Sequence, residues 1–434
     1  MRKTFIGSSV VFLMLFLPIS SFGLTLDESI SFAVKNNPAV LSAQKKAAAA
    51  QAKLGQAVGA FLPTIKLEGT VGKSYTQPSV IQMASQYFTF GTDAATESKT
   101  ITVSFAQPLF MASLIPGFSL AKKYTEIARE DLKKTINDTS FNVTQAYFAV
   151  LKARIYLKLA QDSKEMAQSH LNQVRMLLAA QVSTKADYLR TEVQLANAEI
   201  ALTKAKSTLD IAEAAFNNSL GKNIEEMVVL STEQFKEALP ALPNYKNLLE
   251  ITFTNRPEWK QYELSKGITE DNLRINQTAY LPSLLVSGQT GNRISEYPTY
   301  KSDVNSWSIT GIASWTIFDG FGLQNRIREA AANVEAQKAA EEQVKNGIEL
   351  EVRDAYFSLK SAIETISSAK KAVESAEENY KVSDTRFNSG VGTNLEVIDA
   401  QVALTQAKIN YLQALFDVEI GKARINKVVG KEII

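Results

Sequence analysis

The sequence predicts a mainly α-helical chain with a membrane β component, built from two copies of a long helical hairpin. Three observations predict it. Ile348, Val352, Ala355, Leu359, Ala362, Ile366, Ala369, Val373, Ala376 and Tyr380 are spaced alternately by four and three, the period of a coiled-coil seam. A second copy lies upstream: Q-A-Y-F at Gln145–Phe148 returns as D-A-Y-F at Asp354–Phe357, an offset of 354 − 145 = 209, and Leu220-Gly221 returns as Val429-Gly430 at the same offset. Between the helical stretches, each copy holds runs in which apolar and polar residues alternate singly, the period of a strand with one dry and one wet face.

Met1–Gly23 carries Arg2 and Lys3, an apolar core at Val10–Leu17, then Pro18 and small residues at Ser21 and Gly23, and reads as an export signal cleaved before Leu24. Removing Arg2 and Lys3 takes the formal charge from +2 to 2 − 2 = 0, so neither nucleic acid nor a polybasic membrane contact is expected. Without cysteine there is no disulfide, thiolate chemistry or lipid-bearing N-terminal cysteine. No later segment approaches the roughly 18 to 20 apolar residues of a spanning helix, so contact with a bilayer core falls to strands.

Leu24–Asn36 reads as a short amphipathic helix that breaks at Asn36-Asn37-Pro38, because the residue before proline resists helical geometry. The second half echoes this at Asn255-Arg256-Pro257. Ala39–Ala60, rich in Ala, Gln and Lys, predicts a helix by propensity and stops at Phe61-Leu62-Pro63, echoed at Tyr280-Leu281-Pro282. After each of these prolines the period becomes that of a strand. Ile65, Leu67, Gly69 and Val71 alternate with Lys66, Glu68, Thr70 and Gly72, and Ile101, Val103 and Phe105 with Thr102, Ser104 and Ala106. Leu284, Val286 and Gly288 open a third run, and Trp307, Ile309, Gly311, Ala313, Trp315 and Ile317 form a fourth. Each half thus supplies two strands of about 10 residues, joined by polar loops near Thr76–Lys99 and Arg293–Val304. The plainer reading of the same runs is one soluble hairpin per half.

Four strands cannot close a barrel, since the smallest have about eight, and an open edge in lipid leaves backbone groups unpaired. Strands in a membrane therefore imply an oligomer. Two copies would supply eight strands and three would supply twelve, and the larger barrel alone leaves an unfilled lumen.

The first long helix repeats the seam at Val143, Ala146, Val150, Ala153, Leu157, Ala160, Ala167, Leu171, Val174 and Leu178, with Lys164 as a polar interruption. Shorter partner helices are expected at 185–218 and 394–426, the latter with a stripe of Leu395, Ile398, Val402, Ile409, Leu412 and Phe416. The organisation read from these signals is a signal at 1–23, a first repeat at 24–221, an inter-repeat equatorial linker at 222–244 holding Pro240 and Pro243, and a second repeat at 245–434.

The mature start L-T-L-D-E-S-I, F-L-P and Y-L-P before the strands, Q-P-L-F at Gln107–Phe110, and R-F-N-S-G-V-G-T-N-L-E-V-I-D-A-Q at Arg386–Gln401 resemble the TolC family of bacterial outer-membrane factors. The resemblance implies a homotrimer with a twelve-stranded outer-membrane β-barrel and a periplasmic α-barrel tunnel made of the helical hairpins. It also implies partners: a periplasmic adaptor and an inner-membrane pump of the RND, ABC or MFS type, in efflux or type I secretion. Many members carry a lipid on an N-terminal cysteine, which this chain lacks.

Family tunnels narrow at the periplasmic tip, where carboxylates ring the bore. Glu396 and Asp399 match the family's two acids three residues apart at the start of the last helix, and Asp187 matches the acidic position of the first-half turn. Phe387 and Gly392 stand where closed members place a latching tyrosine and arginine, so a polar latch would have to use Arg386, Arg190 or Lys185, or be absent.

Thr184-Lys-Ala-Asp187 and Thr393-Asn-Leu-Glu396 also fit the capping box, which gives both acids a purely structural reading. Asp399 lies too far in to cap, and its repeat counterpart is Arg190, so a role in the bore is favoured for it. Gly390 and Gly392 read as helix-ending glycines at positive φ and, functionally, as a turn narrow enough to dock an adaptor hairpin, with Thr184 and Thr393 beside the two turns. His170, among Gln168, Ser169 and Asn172, reads as a solvated helix residue, and one histidine without cysteine builds no usual metal set. With no phosphate-binding loop, nucleophile elbow or Ser/His/Asp set, no enzyme and no cofactor are expected. The function expected is an outer-membrane exit duct. The rival is a soluble periplasmic coiled-coil adaptor or scaffold, against which the strands with Trp307 and Trp315 count.

Overall fold

The computed structural model describes residues 23–83, 86–90, 94–231 and 240–434. Apart from Gly23, the export signal lies outside the described residues, as does the 232–239 part of the linker. The first repeat runs α1 (Leu26–Asn36), α2 (Pro38–Gly59), β1 (Thr64–Thr76), β2 (Ser79–Met83), β3 (Gln86–Phe90), β4 (Ala94–Phe110), α3 (Leu114–Ala179) and α4 (Lys185–Leu220). The second runs α5 (Tyr245–Asn255), α6 (Pro257–Thr278), β5 (Ser283–Glu296), β6 (Lys301–Ser314), α7 (Gly322–Asn388) and α8 (Asn394–Val429).

Equivalent elements match in length because the same local signals end them. A capping box between Thr25 and Glu28 starts α1. The residues before Pro38 and Pro257 are extended, Asn37 at φ −65° and ψ 127° and Arg256 at φ −63° and ψ 122°, so each short helix stops and the next begins on its proline. The long helices reach 66 and 67 residues, and their partners 36 each.

The chain divides into two compact units, each drawing on both repeats. One comprises residues up to Asn37, Thr139–Ala241 and Ala362–Ile420; the other comprises Pro38–Asp138, Leu242–Ser361 and Gly421–Ile434. In the first unit, Tyr147, Phe148, Phe216, Leu220 and Phe416 form the core with Ala33, and Val228 and Leu230 of the linker are buried among them. The linker is tied there by main-chain bonds from Leu24 N to Val229 O (2.9 Å) and from Ser231 N to Leu24 O (3.1 Å).

In the second unit the strands form one antiparallel sheet in the order β1-β4-β5-β6, with β2-β3 a separate hairpin. The register aligns the alternation across all four strands. Ile65 lies opposite Phe105, Phe105 opposite Gly288 and Gly288 opposite Ile309; the next row is Leu67, Val103, Thr290 and Trp307. The other face carries Lys66, Ser104, Gln289 and Ser308. One face is therefore an apolar band, exposed at Ile65 (77%), Leu67 (71%), Trp307 (76%) and Ile309 (67%), and the opposite face is polar.

Two expectations about the strands need correction. They are 13 to 17 residues long, and the expected loops are largely strand: β4 begins at Ala94, while four residues, Tyr297–Tyr300, separate β5 from β6. Polar side chains do not interrupt a ladder that pairs backbone with backbone, so pairing continues beyond the apolar band. At its other end β6 stops at Ser314, leaving Trp315 and Ile317 outside the strand; the Trp315 indole donates to the Tyr280 carbonyl at 3.0 Å.

The long-helix seam is buried at Ile348, Val352, Ala355, Leu359, Ile366 and Ala369, and at Val143, Val150, Ala153, Ala167 and Val174. The stripe expected on α8 is only partly the buried one: Phe416 is buried and Ile398, Ile409 and Leu412 are half-buried. Leu395 and Val402 are half-exposed, whereas Val397, Ala400, Gln401, Leu404, Ala407 and Ala414 are buried. Small residues at seven-residue spacing, Ala400, Ala407, Ala414 and Gly421, make this seam, because a helix without bulk on one face packs closest along it. Its first-repeat equivalent is Thr191, Ala198, Ala205 and Ala212.

The two seams differ by a volume exchange. Val150 and Ala212 share the core of one unit, while their equivalents in the other, Leu359 and Gly421, are matched as larger with smaller; a Cβ on Gly421 would sit 3.0 Å from Leu359 Cδ1. Leu359→Val should therefore make Gly421→Ala more favourable than it is alone, with a coupling of about 0.5–3 kcal/mol in a double-mutant cycle. Thermal unfolding of the four proteins checks this, and additive effects would mean that the pair does not pack as described.

Candidate functional site

The two hairpin turns, Ala180–Thr184 and Ser389–Thr393, are built alike. Val182 N donates to Leu177 O at 2.8 Å in one, and Val391 N donates to Arg386 O at 3.0 Å in the other. Each turn needs one residue in the left-handed region, Gln181 at φ 61° and Gly390 at φ 75°, and these are repeat equivalents, 390 − 181 = 209. Gly392 does not share that conformation, contrary to expectation. It is small because a Cβ there would lie 2.9 Å from Arg386 Cβ and from Phe387 N.

The three acids behave differently. Asp187 completes a capping box: its amide donates to Thr184 Oγ1 at 3.1 Å, and its carboxylate accepts from the Thr184 hydroxyl at 2.6 Å and from the Thr184 amide at 3.4 Å. Glu396 makes half of one, its amide donating to Thr393 Oγ1 at 3.3 Å, while its carboxylate faces Arg386 Nε at 3.8 Å. Asp399 is exposed on the next turn of α8, and among the described residues no hydrogen bond or ion pair engages it.

Two of the cations considered for a latch stay within their own hairpins. Arg386 donates to Val391 O at 3.4 Å and faces Glu396, and Lys185 lies over the Tyr188 ring at 4.5 Å. Near the turns, what joins the hairpins is a set of neutral groups. Asn394, the first residue of α8, is buried: it donates from Nδ2 to the Asp187 carbonyl at 3.1 Å, and its Oδ1 lies 3.2 Å from Thr191 Oγ1 and 2.7 Å from His170 Nε2. Gln173 on α3 donates to Asn388 on α7, and the Phe387 ring meets the His170 ring edge-on at 5.1 Å.

His170 is therefore not solvated; it is 5% exposed. It stands three residues after Ala167 and four before Val174, both buried seam residues, so helical spacing did mark it as an interior position. Its pKa is lowered, chiefly by burial, against smaller upward contributions from the Asn394 hydrogen bond and the Asp384 carboxylate. Among the described residues no cluster of His, Asp and Glu is placed to hold a metal ion, and no helix is long and apolar enough to cross a membrane.

A sheet banded for lipid, joined in each repeat to a helical hairpin of about 100 residues, defines an outer-membrane protein with a helical extension. The chain belongs to the outer membrane efflux protein family, which it matches over residues 29–222 and 248–431. It is 22% identical to the outer membrane protein TolC of Salmonella enteritidis over 403 residues, 91% of this chain and 79% of that one. It is 25% identical to the cobalt-zinc-cadmium resistance protein CzcC of Cupriavidus metallidurans over 320 residues, 72% of each chain. The fold resembles the Campylobacter jejuni CmeC outer membrane channel with a TM-score of 0.81 at 15% identity, covering 93% of this chain and 85% of that one. The protein is accordingly an outer-membrane exit duct.

The matched turns yield a stability test. Gly390→Ala should cost about 1–2 kcal/mol, because an L side chain is disfavoured in the left-handed region, whereas Gln181→Gly should gain up to about 1 kcal/mol, offset in part by the freedom of glycine in the unfolded chain. Helical circular dichroism during heating would read both. A loss on Gln181→Gly would show that its side chain holds the turn.

Proposed function

We propose that three copies of the chain close the duct, and that it conducts substrates delivered by an inner-membrane pump through a periplasmic adaptor. One observation carries the oligomer: β1 and β6, 13 and 14 residues long, end a four-stranded sheet on edges with no partner strand among the described residues. In lipid those amides and carbonyls must pair with another strand, and β6 of one copy against β1 of the next is the arrangement that repeats around a ring. Three copies give the twelve strands that leave a lumen open.

The helices support the same reading. Opposite its small-residue seam, α4 carries Leu189, Val193, Ile200 and Ile211, exposed at 48 to 70%. At the equivalent positions on α8, Ile398, Ile409 and Ile420 are half-buried, while Val402 stays 50% exposed. A ring of repeats that covers this stripe inside the chain for one repeat, and by the next copy for the other, accounts for the difference. We assign the turns with Thr184, Gly390, Gly392 and Thr393 to adaptor docking, and the acids Asp187, Glu396 and Asp399 to the narrow end of the bore. Asp187 and Glu396 are already engaged with Thr184 and Arg386, so Asp399 is the acid best placed to set the field on passing ions.

The mass of the detergent-solubilised mature protein should be that of three chains; a stable, folded monomer overturns the closed duct. In planar bilayers, Asp399→Asn should lower the preference for cations and weaken block by multivalent cations with the assembly intact. Unchanged selectivity with lowered stability would assign Asp399 a structural role instead. Glu396→Gln informs less, since it also removes the pairing with Arg386 and so changes two charges' surroundings at once.

A further inference from the structure

The duct reading gives no role to the single histidine of the chain, yet the structure buries it where the two hairpins meet. The Asp187 carbonyl can only accept a hydrogen bond, so the Asn394 amide nitrogen must face it, at 3.1 Å, and the amide oxygen must face His170 Nε2, at 2.7 Å. That oxygen is an acceptor, so Nε2 carries the imidazole proton. Nδ1 is then a bare lone pair, and it is buried with no hydrogen-bond partner. Neutral imidazole fits this place. Imidazolium would add an N–H at Nδ1 with nothing to receive it.

We propose that His170, Asn394 and Thr191 form an acid-released clasp, in which neutral His170 holds the ends of the two hairpins together and protonation parts them. Every helix at the junction contributes to the environment. From α4 come Thr191 and the Asp187 carbonyl, and from α8 comes Asn394, all uncharged, the Asp187 carboxylate being held at Thr184. From α7 come Asp384 and Tyr380, and from α3 itself Asp162 and Glu165; these four line a cavity of about 510 Å³ that adjoins the ring. Protonation leaves the Nε2–H bond to Asn394 in place. What opposes it is the new Nδ1–H, buried without an acceptor, and a shift of the ring toward the carboxylates of that cavity relieves this charge at the expense of Asn394.

The direction follows from linkage. With the folded pKa below its ordinary 6.5, the clasp is at full strength above that value. Its contribution is lost as pH falls through the depressed value, because the unfolded or parted state binds the proton more readily.

The chain has no cysteine, so Val182→Cys and Val391→Cys, both at exposed turn positions, can be spin-labelled in the full-length untagged protein without background. Its single histidine gives one imidazole ¹⁵N signal pair. The expected result is an Nε2–H tautomer at about pH 8, then a broader, longer label distance as the sample is taken to about pH 5, in step with protonation of the ring. His170→Gln, which keeps a donor toward Asn394 but cannot titrate, should hold the distance constant over that range. An Nδ1–H tautomer, an unmoved distance in the wild type, or the same acid response in His170→Gln would each overturn the clasp. The tautomer is read on the wild type and so stands even where His170→Gln does not fold. Neither measurement uses conductance, so a failure of the duct reading is seen separately.

Discussion

A backbone amide in lipid has no water to turn to, and that constraint shapes the rest of this chain. The sheet offers an apolar band across four strands in register, a surface suited to a membrane, yet among the described residues β1 and β6 each pair with a strand on one side only. A soluble scaffold would have no reason to align Ile65, Phe105 and Ile309 in one row, nor Leu67, Val103 and Trp307 in the next. The soluble rival reading thus fails on packing grounds that are independent of the family match.

The helices answer a related demand by different means. A helix satisfies its own backbone, so α4 and α8 are free to present two apolar faces, one of small residues and one of large. The small face brings partners close, as at Leu359 and Gly421. The large face is left for whatever lies beside the hairpin.

Much of this was legible in the sequence. The four-three spacing identified both long helices and located their turn-side ends, although α3 and α7 begin well before the seams read at Val143 and Ile348. Pro38, Pro63, Pro257 and Pro282 marked the boundaries by removing backbone donors and restricting their neighbours. Strand length was less legible, since polar residues such as Ser98 and Asp303 pair through the backbone as readily as apolar ones and side-chain character does not mark where a ladder ends. The buried face of α8 was read correctly at Phe416 but misjudged toward the turn: Leu395 and Val402 are more hydrophobic than Ala400 and Ala407, but close approach rewards the absence of bulk. His170 was misread because its polar neighbours were weighed above its spacing from Ala167 and Val174. Asn394 was read only as a residue between Thr393 and Glu396 and proved to be a bridge, a role that requires the other hairpin to be in place.

The exchange of Val150 with Ala212 for Leu359 with Gly421 has a consequence for how a duplicated chain can change. Where one seam carries the larger Leu359, the facing position is the smaller Gly421, so bulk on one helix is met by its absence on the partner. Matching of this kind makes each helix specific to its own hairpin. A chimera joining α7 to α4 would bring the Ala212 methyl group to the place where a Cβ lies 3.0 Å from Leu359 Cδ1. The two halves have become complementary parts that no longer substitute for one another, so their order along the chain also determines which hairpin stands where.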